Sequence, residues 1–157
     1  MNHGKITFEY SQITKHIFIG TNQCCEGHFD KSLLKMGISA DISLEEERLD
    51  APWGVEFFLW LPTKNHFAPS RKQFLVGVNT LKDFESAKIS VYVHCERGHG
   101  RAPTLVVAYL AAVKGLSVDD AVDFVKKKRP CAHINKNQRS AIVKVLSYLI
   151  KELKNKI

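Results

Sequence analysis

Cys95 and Arg101, with five residues between them, are the side chains in this sequence best suited to covalent chemistry. They sit in the stretch Val91-Tyr92-Val93-His94-Cys95-Glu96-Arg97-Gly98-His99-Gly100-Arg101-Ala102-Pro103-Thr104. An apolar run ends at the cysteine, and an apolar run of helical spacing begins after the arginine. That order predicts a strand, a tight loop and a helix start. Backbone amides of such a loop and the helix dipole together form an anion site. A thiol in that field is readily deprotonated and becomes a nucleophile. An arginine can grip a phosphate by two parallel hydrogen bonds, which a lysine cannot do. Gly98 and Gly100 permit loop angles that a side chain would forbid. The chemistry proposed is attack of a thiolate on phosphorus. The bland alternative is a buried structural cysteine beside a surface arginine. It leaves the glycines, the arginine spacing and the strand-to-helix switch as coincidences.

The elements that must position this loop can be read on either side of it. Ser11 to Gly20 reads as two short strands or one bent strand, and Thr21 to Gly27 as a partly buried loop holding Cys24 and Cys25 without a role. Phe29 to Met36 reads as a short helix, with Asp30 near its start and Gly37 just past its end. Ile38 to Leu44 is an expected strand, followed by Glu45, Glu46, Glu47 and Arg48 as a solvated charge run. Val55 to Leu61 reads as a central buried strand stopped by Pro62. Ser70 and Gln73 form a capping-box pattern ahead of Phe74, Leu75, Val78, Leu81 and Phe84 at helical spacing. Ile89 to Val93 is the strand that delivers Cys95. The helix after the loop, with Pro103 in its first turn, is apolar nearly all round and is expected to be central and buried. Gly115 ends it. Ser117 caps the next helix, with Asp120 in the capping-box position; that helix stops before Pro130. Its Lys126, Lys127, Lys128 and Arg129 are explained by dipole matching and solvation. Asn137 is the expected cap of a last helix with Ile142, Val145, Leu146, Leu149 and Leu153 inward, and Lys151 to Ile157 is expected to fray. Four or five short strands interleaved with helices predict an α/β fold, with helices on both faces of one sheet.

The loop resembles the signature of the cysteine-dependent protein tyrosine and dual-specificity phosphatases, His, Cys, two residues, Gly, two residues, Arg. His94, Cys95, Gly98 and Arg101 match it. The resemblance runs from about Ile13 to the last helix. It implies a mixed, mostly parallel sheet of four to five strands in a single domain spanning 1–157, with its core about 11–153. It implies two-step hydrolysis of phosphate esters through a cysteinyl-phosphate on Cys95. The amides of Glu96, Arg97, Gly98, His99, Gly100 and Arg101, with the Arg101 side chain, would hold the phosphate, and His94 would orient the loop by hydrogen bonds. No metal or cofactor is implied. The Glu pair in the 45–48 run resembles the phosphatidylglycerophosphate phosphatases, a lipid-acting branch.

Two family parts are absent. The loop Pro62-Thr63-Lys64-Asn65-His66-Phe67-Ala68-Pro69-Ser70 contains no carboxylate where relatives carry an aspartate general acid. Lys64 or Thr63 occupies that place, His66 is the one titrating substitute, and Asp83 lies too far down the following helix. Loss of a general acid costs about a hundred- to ten-thousand-fold, less when the leaving group is good. Ala102 also stands where relatives have the Ser or Thr that eases thiolate departure in the second step. Thr104 is not expected to replace it, so slow phosphoenzyme hydrolysis is expected.

The length of 157 residues suits one domain, and 45% hydrophobic residues suits a globular one. No apolar run has the length of a membrane span, and Met1 to Phe8 lacks a signal-peptide core. A cytoplasmic, reducing location is the simplest expectation. Cys24, Cys25, Cys95 and Cys131 show no zinc-type spacing, and the adjacent Cys24 and Cys25 are expected to be poorly placed to bond to each other. A zinc site of His94, Cys95 and His99 is disfavoured, because the loop must close around phosphate. The net charge of +7 favours anionic partners such as phosphoproteins, phosphoinositides, acidic membranes or RNA. The favoured reading is a phosphotyrosine, phosphoserine or phosphothreonine protein phosphatase. The alternatives are a phospholipid phosphatase, an RNA 5′-triphosphatase, which also dispenses with the aspartate, and a phosphate-binding module with little turnover. Nucleic acid is the less favoured partner.

Overall fold

The computed structural model describes residues 4–155. Five strands form one sheet: β1 (Tyr10–Gln12), β2 (Ile17–Gly20), β3 (Ile38–Glu45), β4 (Phe57–Thr63) and β5 (Ser90–His94), in the order β1-β2-β5-β3-β4. The β1–β2 pair is antiparallel and every other pair is parallel. The α-helices are α1 (Lys31–Lys35), α2 (Arg71–Ser86), α3 (Arg101–Lys114), α4 (Val118–Lys128) and α5 (Lys136–Lys154). A 3-10 turn, Asn22–Cys25, follows β2. The expected α/β class, with a mostly parallel mixed sheet between helical layers, is the observed architecture.

The two layers are unequal. Residues of α2 to α5 pack with Ile17, Ile19, Ile42, Val91 and Val93 in the main core. On the other face Phe18, Phe29, Leu33, Ile38 and Tyr92 make a smaller core with Cys24 and Cys25. Helix α3 is the central one, with every residue from Arg101 to Ala111 buried. An all-round apolar helix can only lie inside, between the sheet and other helices. β5 lies in the middle of the sheet between β2 and β3, so its C-terminal end opens at the centre of the fold. Ligand sites of open α/β sheets form at this end of the strands.

Several local expectations need correction. β4 is an edge strand, and Phe57, Phe58 and Trp60 are each about two-fifths exposed rather than buried. Pro62 lies inside it, which an edge tolerates because one side of the strand has no partner to receive an N–H. The last helix is capped by Asn135, in a capping box with Gln138, rather than by Asn137. It does not fray at Lys151: it continues to Lys154, held by buried Leu153. Residues 156–157 of the segment expected to fray lie outside the described ones. Cys24 and Cys25 are not idle loop thiols. The 3-10 turn carries both inward, and they are joined as a disulfide in the smaller core. Among the described residues, no helix is long and apolar enough to cross a membrane.

Candidate active site

Strand β5 ends at His94, and the next residues, Cys95 to Gly100, turn back to start α3 at Arg101. Each carbonyl of that loop from Glu96 onward is tied outward. Glu96 O accepts from the Asn22 amide and His99 O from the His133 amide. Gly98 O accepts from Arg129 Nε at 2.8 Å and Arg97 O from Arg129 Nη2 at 3.0 Å. Gly100 O accepts from the Thr104 amide and from Thr104 Oγ1. Among the described residues, no protein acceptor receives the amides of Glu96 to Arg101. A peptide that turns its carbonyl outward turns its N–H inward, so the loop forms a nest of amides. Gly98 makes this possible at φ +65°, and a Cβ there would lie 2.5 Å from Gly20 O. Gly100 needs no left-handed angle, having φ −120°. Its missing side chain instead leaves room for Gln138, which a Cβ would meet at 3.1 Å.

Cys95 and Arg101 line one cavity of about 700 Å³ with Glu96, Arg97, His99 and Gly100. The Arg101 guanidinium is almost fully buried, and its two sides differ. Nη1 donates to the Glu47 carboxylate at 2.8 and 3.1 Å and to Thr63 O at 2.8 Å. Nε is buried with no acceptor among the described residues. A buried donor without a partner is costly, and a phosphate oxygen in the loop would satisfy it. Although burial works against the Glu47 carboxylate, the hydrogen bond from Arg101 outweighs it and holds the carboxyl below the usual glutamate range.

Part of the cavity wall comes from the segment after β4. His66 and Asn65 line the cavity. The segment is fastened to α5, because Asn135 Nδ2 donates to His66 O and Gln138 Nε2 to Phe67 O. His66 itself is exposed at the rim, in a left-handed backbone conformation with φ +67°. Thr63 is buried and its carbonyl serves Arg101, while Lys64 leans over the Phe67 ring. Asp83 is exposed on α2. No carboxylate from the 62–70 loop reaches the cavity. Thr104 Oγ1 is engaged by Gly100 O, and Ala102 is buried.

His94 turns Nε2 toward buried carboxylates. Its ring is fully buried, and among the described residues no hydrogen bond joins it to the loop 95–100. Nε2 lies 3.3 Å from Asp41 Oδ1 and 3.5 Å from Asp50 Oδ2, and Nδ1 has no partner among the described residues. Burial opposes a charged ring, but attraction to Asp41 and the neighbouring carboxylates raises its pKa above the usual histidine value. Among the described residues, His94, Cys95 and His99 do not converge as a ligand group.

Three supports of the loop are not apparent from the sequence. Arg129, expected in solvent, is buried and carries the back of the loop. Its signal is present: positions 121, 125 and 129 share one helical face, and the first two are apolar. The 45–48 run is solvated only in part: Glu46 and Glu47 are exposed in a bend, while Glu45 ends β3. Glu45 is buried and accepts from Asn22 Nδ2, Arg48 pairs with Asp50, and Glu47 holds Arg101. Asn135 and Gln138, which cap a helix, also anchor the cavity wall.

The chain has recognisable relatives. Residues 17–153 match the family model "Dual specificity phosphatase, catalytic domain". The chain belongs to the dual specificity phosphatase catalytic-domain family. It is 30% identical to phosphatidylglycerophosphate phosphatase PTPMT2 of Arabidopsis thaliana, over 70% of this chain and 51% of that protein. It is 31% identical to human dual specificity protein phosphatase 7, over 75% of this chain and 28% of that protein. The chain thus spans about half or less of the length of these curated relatives. The fold is shared with the crystal structure of PTPMT1, at TM-score 0.79 and 23% identity, covering 94% of this chain and 99% of that one. The DUSP15 crystal structure also gives a TM-score of 0.79, at 20% identity, covering 94% and 96% of the two chains.

Proposed function

We propose that this protein hydrolyses phosphate monoesters through a cysteinyl-phosphate on Cys95, with aryl esters of the phosphotyrosine type as its best substrates. The observation that carries the reading is the ring of acceptor-free amides from Glu96 to Arg101, closed by the orphaned Nε of Arg101 around the Cys95 sulfur. Fixed donors aimed at developing negative charge are the main catalytic contribution in phosphoryl transfer. The Cys95 sulfur forms a bond to phosphorus as the ester oxygen leaves with the bonding pair. Water then attacks the phosphorus, inorganic phosphate leaves, and the thiolate returns.

The preference for aryl esters follows from the missing acid. No carboxylate of the 62–70 loop stands ready to protonate the leaving oxygen, so the leaving group must tolerate departing as an anion. A phenolate, with pKa about 10, does so far better than an alkoxide. His66 at the rim is the one titrating group of that loop placed near a departing oxygen. Its share is measured by His66→Ala, which lowers turnover of alkyl esters more than of aryl esters if the ring donates a proton.

A second reading, a lipid phosphate monoester as substrate, has its own support. Of the two relatives, the one matched over the larger share of its own length carries a phosphatidylglycerophosphate phosphatase name, and the glutamate-rich segment that resembles that branch delivers Glu47 to Arg101. A panel of p-nitrophenyl phosphate, phosphotyrosyl and phosphoseryl peptides and phosphatidylglycerophosphate vesicles separates the two. Aryl and phosphotyrosyl turnover well above the others supports the aryl reading. Preferred turnover of the lipid overturns it in favour of the second. Equal background rates for wild type and Cys95→Ser on every substrate would leave a phosphate-binding module instead.

A further inference from the structure

We propose that the group Cys24, Cys25, Asp41 and His94, behind the phosphate loop, is a zinc site when its two cysteines are reduced. Three separate elements bring these residues together: the 3-10 turn, β3 and β5. All four are buried, and their candidate ligand atoms lie within 4.8 Å of one another. Cys25 Sγ is 3.7 Å from both Asp41 Oδ2 and His94 Nε2, and His94 Nε2 is 3.4 Å from Asp41 Oδ2. Bond lengths of about 2.3 Å to sulfur and about 2.0 Å to nitrogen or oxygen give a zinc tetrahedron edges of roughly 3.3 to 3.8 Å. The three spacings among Cys25, Asp41 and His94 fall on those edges, and Cys24 Sγ, within 4.8 Å of the others, must swing away from Cys25 once the disulfide opens.

A second observation points to a cation. Asp41 Oδ1 is fully buried and accepts no hydrogen bond among the described residues, and its nearest basic atom is His94 Nε2 at 3.3 Å, a proposed ligand of the same ion. Burying a carboxylate oxygen without a donor is costly, and a metal ion offsets that cost directly. The donor types select the metal. Two thiolates, an imidazole and one carboxylate at tetrahedral spacing suit Zn²⁺, whereas oxygen-only sites suit magnesium or calcium. Phe29, Leu33 and Tyr92 of the smaller core wall the site from water. Arg48 pairs with Asp50, leaving that carboxylate as an outer neighbour of the His94 ring rather than a ligand.

The structure holds the cysteines as a disulfide, so the site is also a redox gate. Two equivalents of a thiol reductant supply two electrons and two protons. The Cys24–Cys25 bond breaks, the reductant becomes its own disulfide, and two thiols form. Zinc binding then releases the two thiol protons to solvent. The resulting clip fastens the 3-10 turn to β3 and to the residue immediately before Cys95.

The test uses the full chain carrying Cys95→Ser, so that the loop thiol contributes nothing. The protein is reduced with a phosphine, desalted without oxygen, incubated with zinc sulfate, desalted again and assayed for metal by atomic emission. One zinc per chain is expected, with none in the unreduced protein. Loss of that zinc in Cys24→Ser/Cys25→Ser and in Asp41→Asn is also expected. Cobalt in place of zinc gives thiolate charge-transfer and tetrahedral ligand-field absorption. Reduced protein that elutes free of zinc overturns the proposal, and so does zinc retained by the double cysteine variant. If that variant fails to fold, the parent's cobalt spectrum decides, because absence of the thiolate band also overturns the site.

Discussion

Arg129→Met removes the device that turns the phosphate loop inside out. The buried guanidinium donates from Nε to Gly98 O and from Nη2 to Arg97 O, and methionine keeps much of the length with no donor. Each carbonyl left without a donor costs about 1–3 kcal/mol. The Arg97 carbonyl is only partly buried and can recruit water, so we take about 2–4 kcal/mol for the pair. The remaining contacts, to Ser11 Oγ and to the half-exposed Glu9 carboxylate, add under about 1 kcal/mol. The cheapest relief is rotation of the Gly98 and Arg97 peptides, which satisfies the carbonyls and takes amides out of the nest. Phosphate binding must reverse that rotation. At 1.4 kcal/mol per factor of ten, the expected loss is about 30- to 700-fold in affinity for inorganic phosphate. The assay is competitive inhibition of p-nitrophenyl phosphate turnover by phosphate, with a thermal melt to confirm folding. A Glu9→Gln control should stay within about threefold of wild type. A folded Arg129→Met protein that binds phosphate as tightly as wild type refutes the reasoning.

Four further outcomes follow from the same geometry. Gly98→Ala places a Cβ 2.5 Å from Gly20 O at a positive φ, so it should lower stability by about 1–3 kcal/mol and weaken phosphate binding; a melt and the inhibition constant check both. Glu47→Gln frees one side of Arg101. Because the Glu47 pKa is lowered in the folded chain, its hold on Arg101 is present at neutral pH and is lost only as pH falls through that lowered value. The kcat/KM profiles of wild type and the Glu47→Gln variant should therefore differ from about pH 5 to 7 and converge below the ordinary glutamate range of about 4.3. Stopped-flow release of p-nitrophenol should show a burst matching the enzyme concentration and then a slow phase, because Ala102 has no hydroxyl and that of Thr104 is engaged by Gly100 O. Linear release from the first turnover counts against it. Across a series of aryl phosphates, the rate should fall steeply as leaving-group pKa rises, and a flat dependence would point to a general acid outside the 62–70 loop.

The phosphate loop was legible because its chemistry is contiguous. Strand, glycines and arginine lie within fourteen residues, and local pattern is what sequence displays best. Helix α3 was legible from its all-round apolar character, and α2 from the Ser70–Gln73 capping box, which is present. The supports were harder to read because they are distant in sequence. Arg129 reaches the loop from 31 positions beyond Gly98, and Glu47 meets Arg101 across 54. Lys126 to Lys128, Glu46 and Glu47 are exposed as such runs suggest, and only Arg129 and Glu45 within them are buried by the fold, which the charge pattern alone does not single out. The misplacing of β4 has a different origin. Aromatic residues make a strand pattern whether it is central or at an edge, and sheet order is not written in local hydrophobicity. Polar Asp41, Ser43 and Glu45, alternating along β3, did carry a period-two signal of a buried polar face.

The central claim is that the Cys95 sulfur takes the phosphoryl group. Rapid acid quenching of wild-type protein during turnover of p-nitrophenyl phosphate, followed by peptide mass spectrometry, measures it directly. Phosphate on Cys95 is expected at a level approaching the enzyme concentration, together with loss of both adduct and turnover in Cys95→Ser. Sustained turnover by Cys95→Ser, or phosphate trapped on another residue, would contradict it.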